Sequence, residues 1–274
     1  MNFKEIASKS NPYFKKLVQM KKNKASDEFF VEGARYIKSA YEYNGISPDG
    51  IVCEEEHRRE AESLSNLVQS PLVMLTEELF GEVSETVHSQ GILAVYRREN
   101  FQSMYGSNDF SSDFSTDLSN PEHTKAGLNG ECYLVLDEVQ DPGNVGAVIR
   151  TADAAGFSKI FLVKGTADPY SPKASRASAG SVLNVRTYSG TREEILHFLI
   201  GNGCDIVVTT IDGADYKDFV PKKKTALILG NEARGVHLDF VKNANYRVGI
   251  PMRGGAESLN VAVAAGILIY HLRG

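Results

Sequence analysis

Five polar residues stand in three short, glycine-bearing segments that lie far apart in the chain. Asn144 and Arg150 lie in DEVQDPGNVGAVIR (137–150), Glu232 in GNEARG (230–235), and Ser258 and Asn260 in IPMRGGAESLNVAVAAGILIY (250–270). One guanidinium, one carboxylate, one hydroxyl and two carboxamides supply charge and directional hydrogen bonds. The glycines let backbone approach a ligand closely. In the third segment Ile250-Pro251 ends a strand, Gly254-Gly255 makes a turn, and Ser258 is placed to cap a helix. That helix is apolar on nearly every face, the pattern of a buried one. Polar groups at its mouth, where free N–H groups point outward, suit a small polar ligand. They suit a plain core helix with a good N-cap equally well.

The surrounding pattern supplies elements to position these residues. Short apolar runs at 133–136, 160–163, 183–186, 206–209 and 226–229 read as strands buried on both faces of a parallel sheet. Asp141-Pro142 opens a helix that Gly156 stops. A short helix covers 175–180, and Thr191 with Glu194 forms a capping box for a helix ending near Gly201. Ligands bind beyond the C-terminal ends of such strands, so the three polar segments are expected to converge. Upstream, strands at 29–31, 51–53, 72–75 and 92–96 alternate with helices, a smaller α/β unit with a mixed or parallel sheet. Residues 1–24 carry seven lysines against Glu5, with a short amphipathic helix after Asn11-Pro12. That segment suits a phosphate backbone, or a solvated tail. Residues 99–130 are rich in Ser, Asn, Asp and Gly and read as a flexible linker. The expected organisation is a basic segment 1–24, a small α/β domain 25–98, a linker 99–130 and a larger α/β domain 131–274.

Composition narrows the classes. The chain has 274 residues, 42% hydrophobic and 24% charged, with net charge −5, the make-up of an ordinary globular protein. No apolar run is long enough for a bilayer, and the lysine-rich start lacks a signal peptide's apolar core. Cys53, Cys132 and Cys204 form no C-x-x-C pair, which points to a reducing cytoplasm and no zinc site. The six histidines do not cluster, so no metal is expected. G-x-G-x-x-G after the first strand, the P-loop, G-x-S-x-G and H-E-x-x-H are all missing.

D-P-x-N-x-G-x-x-x-R at 141–150, L-G-N-E-x-x-G at 229–235 and I-P-M-x-G-x-x-x-S-L-N-V-x-x-A at 250–264 resemble, in order and spacing, the three motifs of the SpoU (TrmH-type) RNA ribose 2′-O-methyltransferases of the SPOUT superfamily. The resemblance spans 131–272. F-F-V-E-G-A-R (29–35) and Q-G-I-L-A-V (90–95) resemble the small RNA substrate-binding domain that often precedes it. The resemblance implies a C-terminal trefoil knot, an S-adenosylmethionine site within it, and a homodimer. It makes Gly230, Ile250 and Leu259 cofactor-lining positions, with Thr209 and Thr210 beside them. It makes Asn144, Arg150, Glu232, Ser258 and Asn260 the polar positions near the reaction centre. In that scheme Arg150 holds the target phosphate and favours the developing alkoxide, its part in proton removal being open. Asn144 fixes its loop and Arg150, Glu232 orients Arg150 across the site or the dimer, and Ser258 and Asn260 bond cofactor or ribose. Ala233-Arg234 and Arg253–Ala256 depart from the family pattern and leave the substrate's identity open. Ribosomal RNA is the expected substrate, with transfer RNA, or a non-catalytic RNA-binding assembly factor, as alternatives. Arg176, in S-R-A-S-A-G, suits a substrate phosphate or a surface ion pair, and Lys222–Lys224 reads as a solvated turn.

Overall fold

The computed structural model describes residues 3–22, 27–84, 89–104, 131–157, 159–222 and 224–273. They fold as two compact units. Met1–Phe101 and Pro169–Asn184 make up the first; Gln102–Asp168 and Val185–Gly274 make up the second.

In the first unit, β1 (Phe3–Ile6), β2 (Glu28–Glu32), β3 (Gly50–Glu54), β4 (Leu72–Leu75) and β5 (Ile92–Arg97) form one sheet in the order β1-β4-β3-β5-β2. It is mixed: β4 runs parallel to β1 and β3, while β5 runs antiparallel to β3 and β2. Successive side chains of a strand leave on opposite faces, so Ile51 and Cys53 join one core and Val52 the other. On the first face lie α2 (Ala34–Asn44) and α3 (Arg58–Val68), burying Ile37, Ala61 and Leu64. On the second lie α1 (Pro12–Lys21) and α4 (Glu77–Val83), where Phe14, Leu17 and Met20 pack with Leu79 and Phe80. Asn11 caps α1, its side chain accepting from the N–H of Tyr13 at 2.9 Å. The basic start of the chain is therefore built into this unit by an edge strand and a helix.

The sequence reading differs from the structure at three places here. No strand was expected at Phe3–Ile6, a run too short and too polar to show alternation. Within the expected linker, Phe101 is buried against Phe29 and Tyr96, and β6 (Gln102–Met104) pairs with a strand of the second unit's sheet. The remainder, 105–130, lies outside the described residues. At 183–185 the chain is not yet a strand, which starts only at Arg186: Ser181–Leu183 is a 3-10 turn, and Val182 and Leu183 are buried in the first unit's core. A brief apolar run fills a turn against a core as readily as it fills a strand.

The second unit holds a wholly parallel sheet, in the order β12-β10-β11-β7-β8-β9-β6. Its further strands are β7 (Glu131–Asp137), β8 (Lys159–Val163), β9 (Arg186–Gly190), β10 (Asp205–Asp215), β11 (Lys224–Gly230) and β12 (Tyr246–Gly249). Both faces are covered, as a parallel sheet requires. Leu134 and Leu136 of β7 face α5 (Pro142–Ala154) and α9 (Val261–Arg273), while Tyr133 and Val135 face α7 (Arg192–Gly201) and α8 (Leu238–Lys242). Each fully buried Leu, Ile or Val contributes about 1.5–3 kcal/mol. The register of β7 and β11 pairs Leu136 with Leu229 and Asp137 with Gly230, so their C-terminal loops leave side by side.

Candidate active site

Local sequence fixes each loop before the loops meet. At the start of α5, the Asp141 carboxylate accepts from the N–H groups of Gly143 (2.6 Å) and Asn144 (3.2 Å), and Pro142 fills the first turn. In the second loop the Asn231 Oδ1 accepts from the N–H of Ala233 and of Arg234, folding 231–235 into a tight turn. Gly230 has a steric reason to be glycine: an added Cβ would lie 2.2 Å from the backbone of Gly235 and Val236. Likewise a Cβ on Gly249 would lie 2.8 Å from the Thr210 carbonyl oxygen, and one on Gly213 would lie 2.5 Å from Val248. There β10 leaves its register between Thr209 and Ala214, and the chain passes close against the end of β12.

A chain of side-chain bonds joins the three segments. The Glu232 carboxylate accepts from Asn144 Nδ2 (2.9 Å) and from the N–H groups of Gln140 (3.1 Å) and Asp141 (3.3 Å). Asn260 Nδ2 donates to Asn144 Oδ1 (2.9 Å), and Asn260 Oδ1 accepts from the N–H of Ala262 (2.9 Å). Asn260, not Ser258, therefore caps the last helix; α9 begins at Val261, and Ser258 lies in an exposed loop before it. Burial raises the Glu232 pKa, but the bonds from Asn144 and the backbone N–H groups outweigh that and hold it below the usual carboxylate range.

Beneath this chain lies a second layer that sequence reading missed. Asp137, 1% exposed, accepts from Arg192 Nε (2.8 Å) and from the His237 N–H (2.7 Å). Glu138 sits at φ +58°, a left-handed conformation uncommon for a side-chain-bearing residue. Its carboxylate pairs with Arg192 and with Arg234, its N–H donates to Thr166 Oγ1 (3.1 Å), and its carbonyl accepts from Asn231 Nδ2 (2.9 Å). The Arg192 guanidinium holds the Glu138 carboxyl below its ordinary pKa. Acidic residues at the end of a strand were the available signal; their arginine partners, Arg192 at the start of α7 and Arg234 in the second loop, leave none.

Of the expected site residues, Asn144, Glu232 and Asn260 come together. Arg150 is exposed on α5 and makes no hydrogen bond or ion pair among the described residues; within this chain Glu232 holds Asn144. Thr209 donates to the Ile228 carbonyl (3.0 Å), which uses its hydroxyl proton. Its neighbour Thr210 has a buried Oγ1 with no hydrogen-bond partner among the described residues. Ile250 packs half-buried on the core, and Leu259 is 37% exposed. An orphaned hydroxyl, glycine backbone at Gly249 and the apolar Ile250 fit a nucleoside bearing a small charged group, so the residues present suit S-adenosylmethionine.

A site of carboxamides, one carboxylate and bare backbone orients its ligands rather than attacking them. With the parallel sheet, that is a ligand-orienting site at the C-terminal ends of the strands of an α/β protein. The chain belongs to the SpoU rRNA Methylase family, whose model matches residues 131–270; a second model, the MRM3-like substrate binding domain, matches 9–94. Among its relatives is the 23S rRNA (guanosine(2553)-2'-O)-methyltransferase RlmP of Bacillus subtilis, 34% identical over 99% of this chain and 100% of that protein. Among solved structures, an AdoMet-bound rRNA methyltransferase from Sinorhizobium meliloti superposes with a TM-score of 0.80 at 27% identity, covering 99% of this chain and 97% of that one. An RNA 2'-O ribose methyltransferase gives a TM-score of 0.74 at 28% identity, covering 98% and 97%. The protein is accordingly an RNA ribose 2′-O-methyltransferase that uses S-adenosylmethionine. Its second unit carries the parallel sheet typical of the knotted SPOUT enzymes. No helix among the described residues is long and apolar enough to cross a membrane, and no cluster of three metal-ligating side chains occurs among them.

Proposed function

We propose that the substrate is ribosomal RNA of the large subunit, that the working form is a cytoplasmic homodimer, and that Arg150, Asn144, Glu232, Ser258 and Asn260 form its reaction centre. The observation that carries the site assignment is the Glu232–Asn144–Asn260 chain, because it ties three segments far apart in sequence into one rigid mouth. The substrate assignment is supported by the Bacillus subtilis relative, which is aligned along nearly the whole chain and is named for 23S rRNA.

S-adenosylmethionine supplies a sulfonium methyl that needs no metal to be transferable. The chain's own task is to align the ribose 2′-oxygen with that methyl and to favour the loss of one proton. Asn144 and Asn260 hold each other's carboxamides, which fixes the entrance to α9 and the start of α5 together. The planar guanidinium fork of Arg150 suits it to grip the target phosphate and to favour the alkoxide as it develops. It is exposed on α5 and has no internal partner among the described residues, which leaves its full fork for RNA. Ser258 lies exposed in the loop before α9, free to meet ribose or cofactor. Thr209, Thr210, Gly230, Ile250 and Leu259 line the cofactor side.

The dimer is supported by the last helix. One face of α9 packs Ala265, Leu268 and Ile269 into the core, while Val263 and Tyr270 are 53% and 55% exposed. Large apolar side chains exposed on a helix that is otherwise core mark an interaction surface.

The test is methyl transfer from labelled S-adenosylmethionine to ribosomal RNA prepared without the modification. Arg150→Ala is expected to lower kcat at least a hundredfold while calorimetry shows S-adenosylmethionine bound as before. Unchanged turnover in that variant overturns the assignment of Arg150.

A further inference from the structure

Three residues other than glycine have a left-handed backbone among the described residues: Gln69, Ala179 and Glu138. Gln69 and Ala179 follow α3 and α6 (Pro172–Ser178), and a left-handed residue is an ordinary way to end a helix. Glu138 ends no helix. It stands where β7 gives way to the first loop of the site, between Asp137 and the wholly buried Val139. A side-chain-bearing residue is strained in this conformation, and such strain persists only where the surroundings over-determine it. Here every polar group of Glu138 is engaged. Its N–H donates to Thr166 Oγ1 (3.1 Å), whose hydroxyl in turn donates to the Leu136 carbonyl (2.9 Å). Its carbonyl accepts from Asn231 Nδ2 (2.9 Å), and its carboxylate takes both Arg192 and Arg234. The next residue is tied as well, the Val139 carbonyl accepting from the Ala167 N–H (2.8 Å).

The bend closes a ring of bonds under the site. One side follows the chain from Glu138 to Gln140 and Asp141, whose N–H groups donate to the Glu232 carboxylate at 3.1 and 3.3 Å. The other side crosses from the Glu138 carbonyl to Asn231, the residue before Glu232. Asn231 folds the turn: its Oδ1 accepts from the N–H groups of Ala233 and Arg234, and its backbone exchanges bonds with Gly235. An extended residue at 138 would turn its carbonyl away from Asn231 or carry Gln140 and Asp141 away from Glu232. We infer that Glu138 is a positioning residue for methyl transfer: its left-handed bend, clamped by Arg192 and Arg234, sets the 231–235 turn so that Glu232 meets Asn144. It acts through Glu232, not on the reacting atoms. The inference rests on the assignment of Glu232 and Asn144 to the reaction centre, and extends that assignment to the residue that holds them in register.

Steady-state kinetics of the full-length protein separate this role from a structural one. The probe is in vitro transcribed large-subunit ribosomal RNA, with S-adenosylmethionine saturating. Glu138→Ala removes the clamp and keeps the strain, so kcat is expected to fall about tenfold while KM for RNA changes by less than about twofold. Glu138→Gly removes clamp and strain together, and Glu138→Asn supplies a side chain that tolerates the left-handed region; both are expected to keep kcat within about threefold of wild type. A residue that served only as an ion-pair partner would lose as much in Glu138→Gly as in Glu138→Ala. Thr191→Ala uncaps α7 without removing the Arg192 fork; it is expected to lower the melting temperature and leave kcat unchanged, which separates lost stability from lost positioning. Adding Glu138→Ala to Glu232→Ala is expected to lower kcat by less than about twofold further, because the two residues act as one unit. Equal kcat in Glu138→Ala and Glu138→Gly, or full multiplication of the two losses in the double variant, overturns the role of Glu138. If Glu138→Ala does not fold, Glu138→Gly decides: a kcat about tenfold lower in a protein that melts as wild type overturns the bend as the device. Wild-type turnover in Glu232→Ala overturns the reaction-centre assignment itself, whereas a loss there with none in Glu138→Ala overturns the inference alone.

Discussion

Glu232 illustrates how a side chain legible in type takes its contacts from the tertiary structure. Its carboxylate is a candidate at once, because a charged group in a glycine loop after a strand is exposed to ligands. What it touches was set by the register of β7 and β11, which lays Gln140, Asp141 and Asn144 beside it. Its depressed pKa, like that of Glu138, carries a pH dependence. A carboxylate whose pKa is lower folded than unfolded adds stability above the unfolded value, about 4.5, and loses it as pH falls through the lower folded value. Wild-type protein is therefore expected to lose thermal stability below about pH 4.5, more steeply than Glu232→Gln, which cannot titrate there. Parallel melting curves for the two proteins across that range check this, and superimposable acid limbs exclude a contribution from Glu232. Asn144 and Asn260 are each other's partners: Asn260 Nδ2 donates to Asn144 Oδ1.

The loops depend on close backbone contacts that side-chain pattern does not announce. Gly230 reads from sequence as backbone left bare for a ligand, yet its Cβ position is already filled by the chain of Gly235 and Val236. Gly230→Ala is expected to cost about 3 kcal/mol or more in urea unfolding, because backbone cannot move aside as a flexible side chain can. Gly254→Ala, with nothing within 4 Å of the added methyl, is expected to change stability by less than about 0.5 kcal/mol. Equal losses at the two glycines would refute this account of the turn. Helix boundaries were readable where caps are local: Asp141 with Pro142, and Thr191 with Glu194, whose bonds span three residues. The start of α9 was not. Ser258 and Asn260 are both good caps, and the choice between them rests on the bond from Asn260 to Asn144, a residue 116 positions away.

For the whole molecule, the two faces of each sheet account for most of what was legible. Alternating or continuous apolar runs mark strands, and their buried faces assemble into paired cores in each unit. The last helix goes beyond that pattern: it is apolar all round, but the chain covers only part of it. If the proposed dimer forms through this face, Val263→Asp combined with Tyr270→Asp is expected to convert it to a monomer in sedimentation, with circular dichroism unchanged and methyl transfer lost. A dimer that survives both charges would move the interface elsewhere. Residues 169–184 group with the first unit. Tyr170, Val182 and Leu183 are apolar in either setting, and composition does not say which core an apolar side chain joins.

By itself the sequence determined the α/β class, the alternation of strands and helices, the locally capped helices and the three segments that carry the family's polar residues. All of these follow from interactions between residues a few positions apart, or from periodicity along one element. Only the tertiary structure decided that Glu232 holds Asn144, that Asn260 caps α9, that Asp137 and Glu138 are pinned by Arg192, and that Gly230 has no room for a methyl group. Those depend on parallel strand register and on chain crossings between residues some 50 to 120 positions apart. Such contacts form only after the sheet has brought the strand ends together, and no local pattern encodes them.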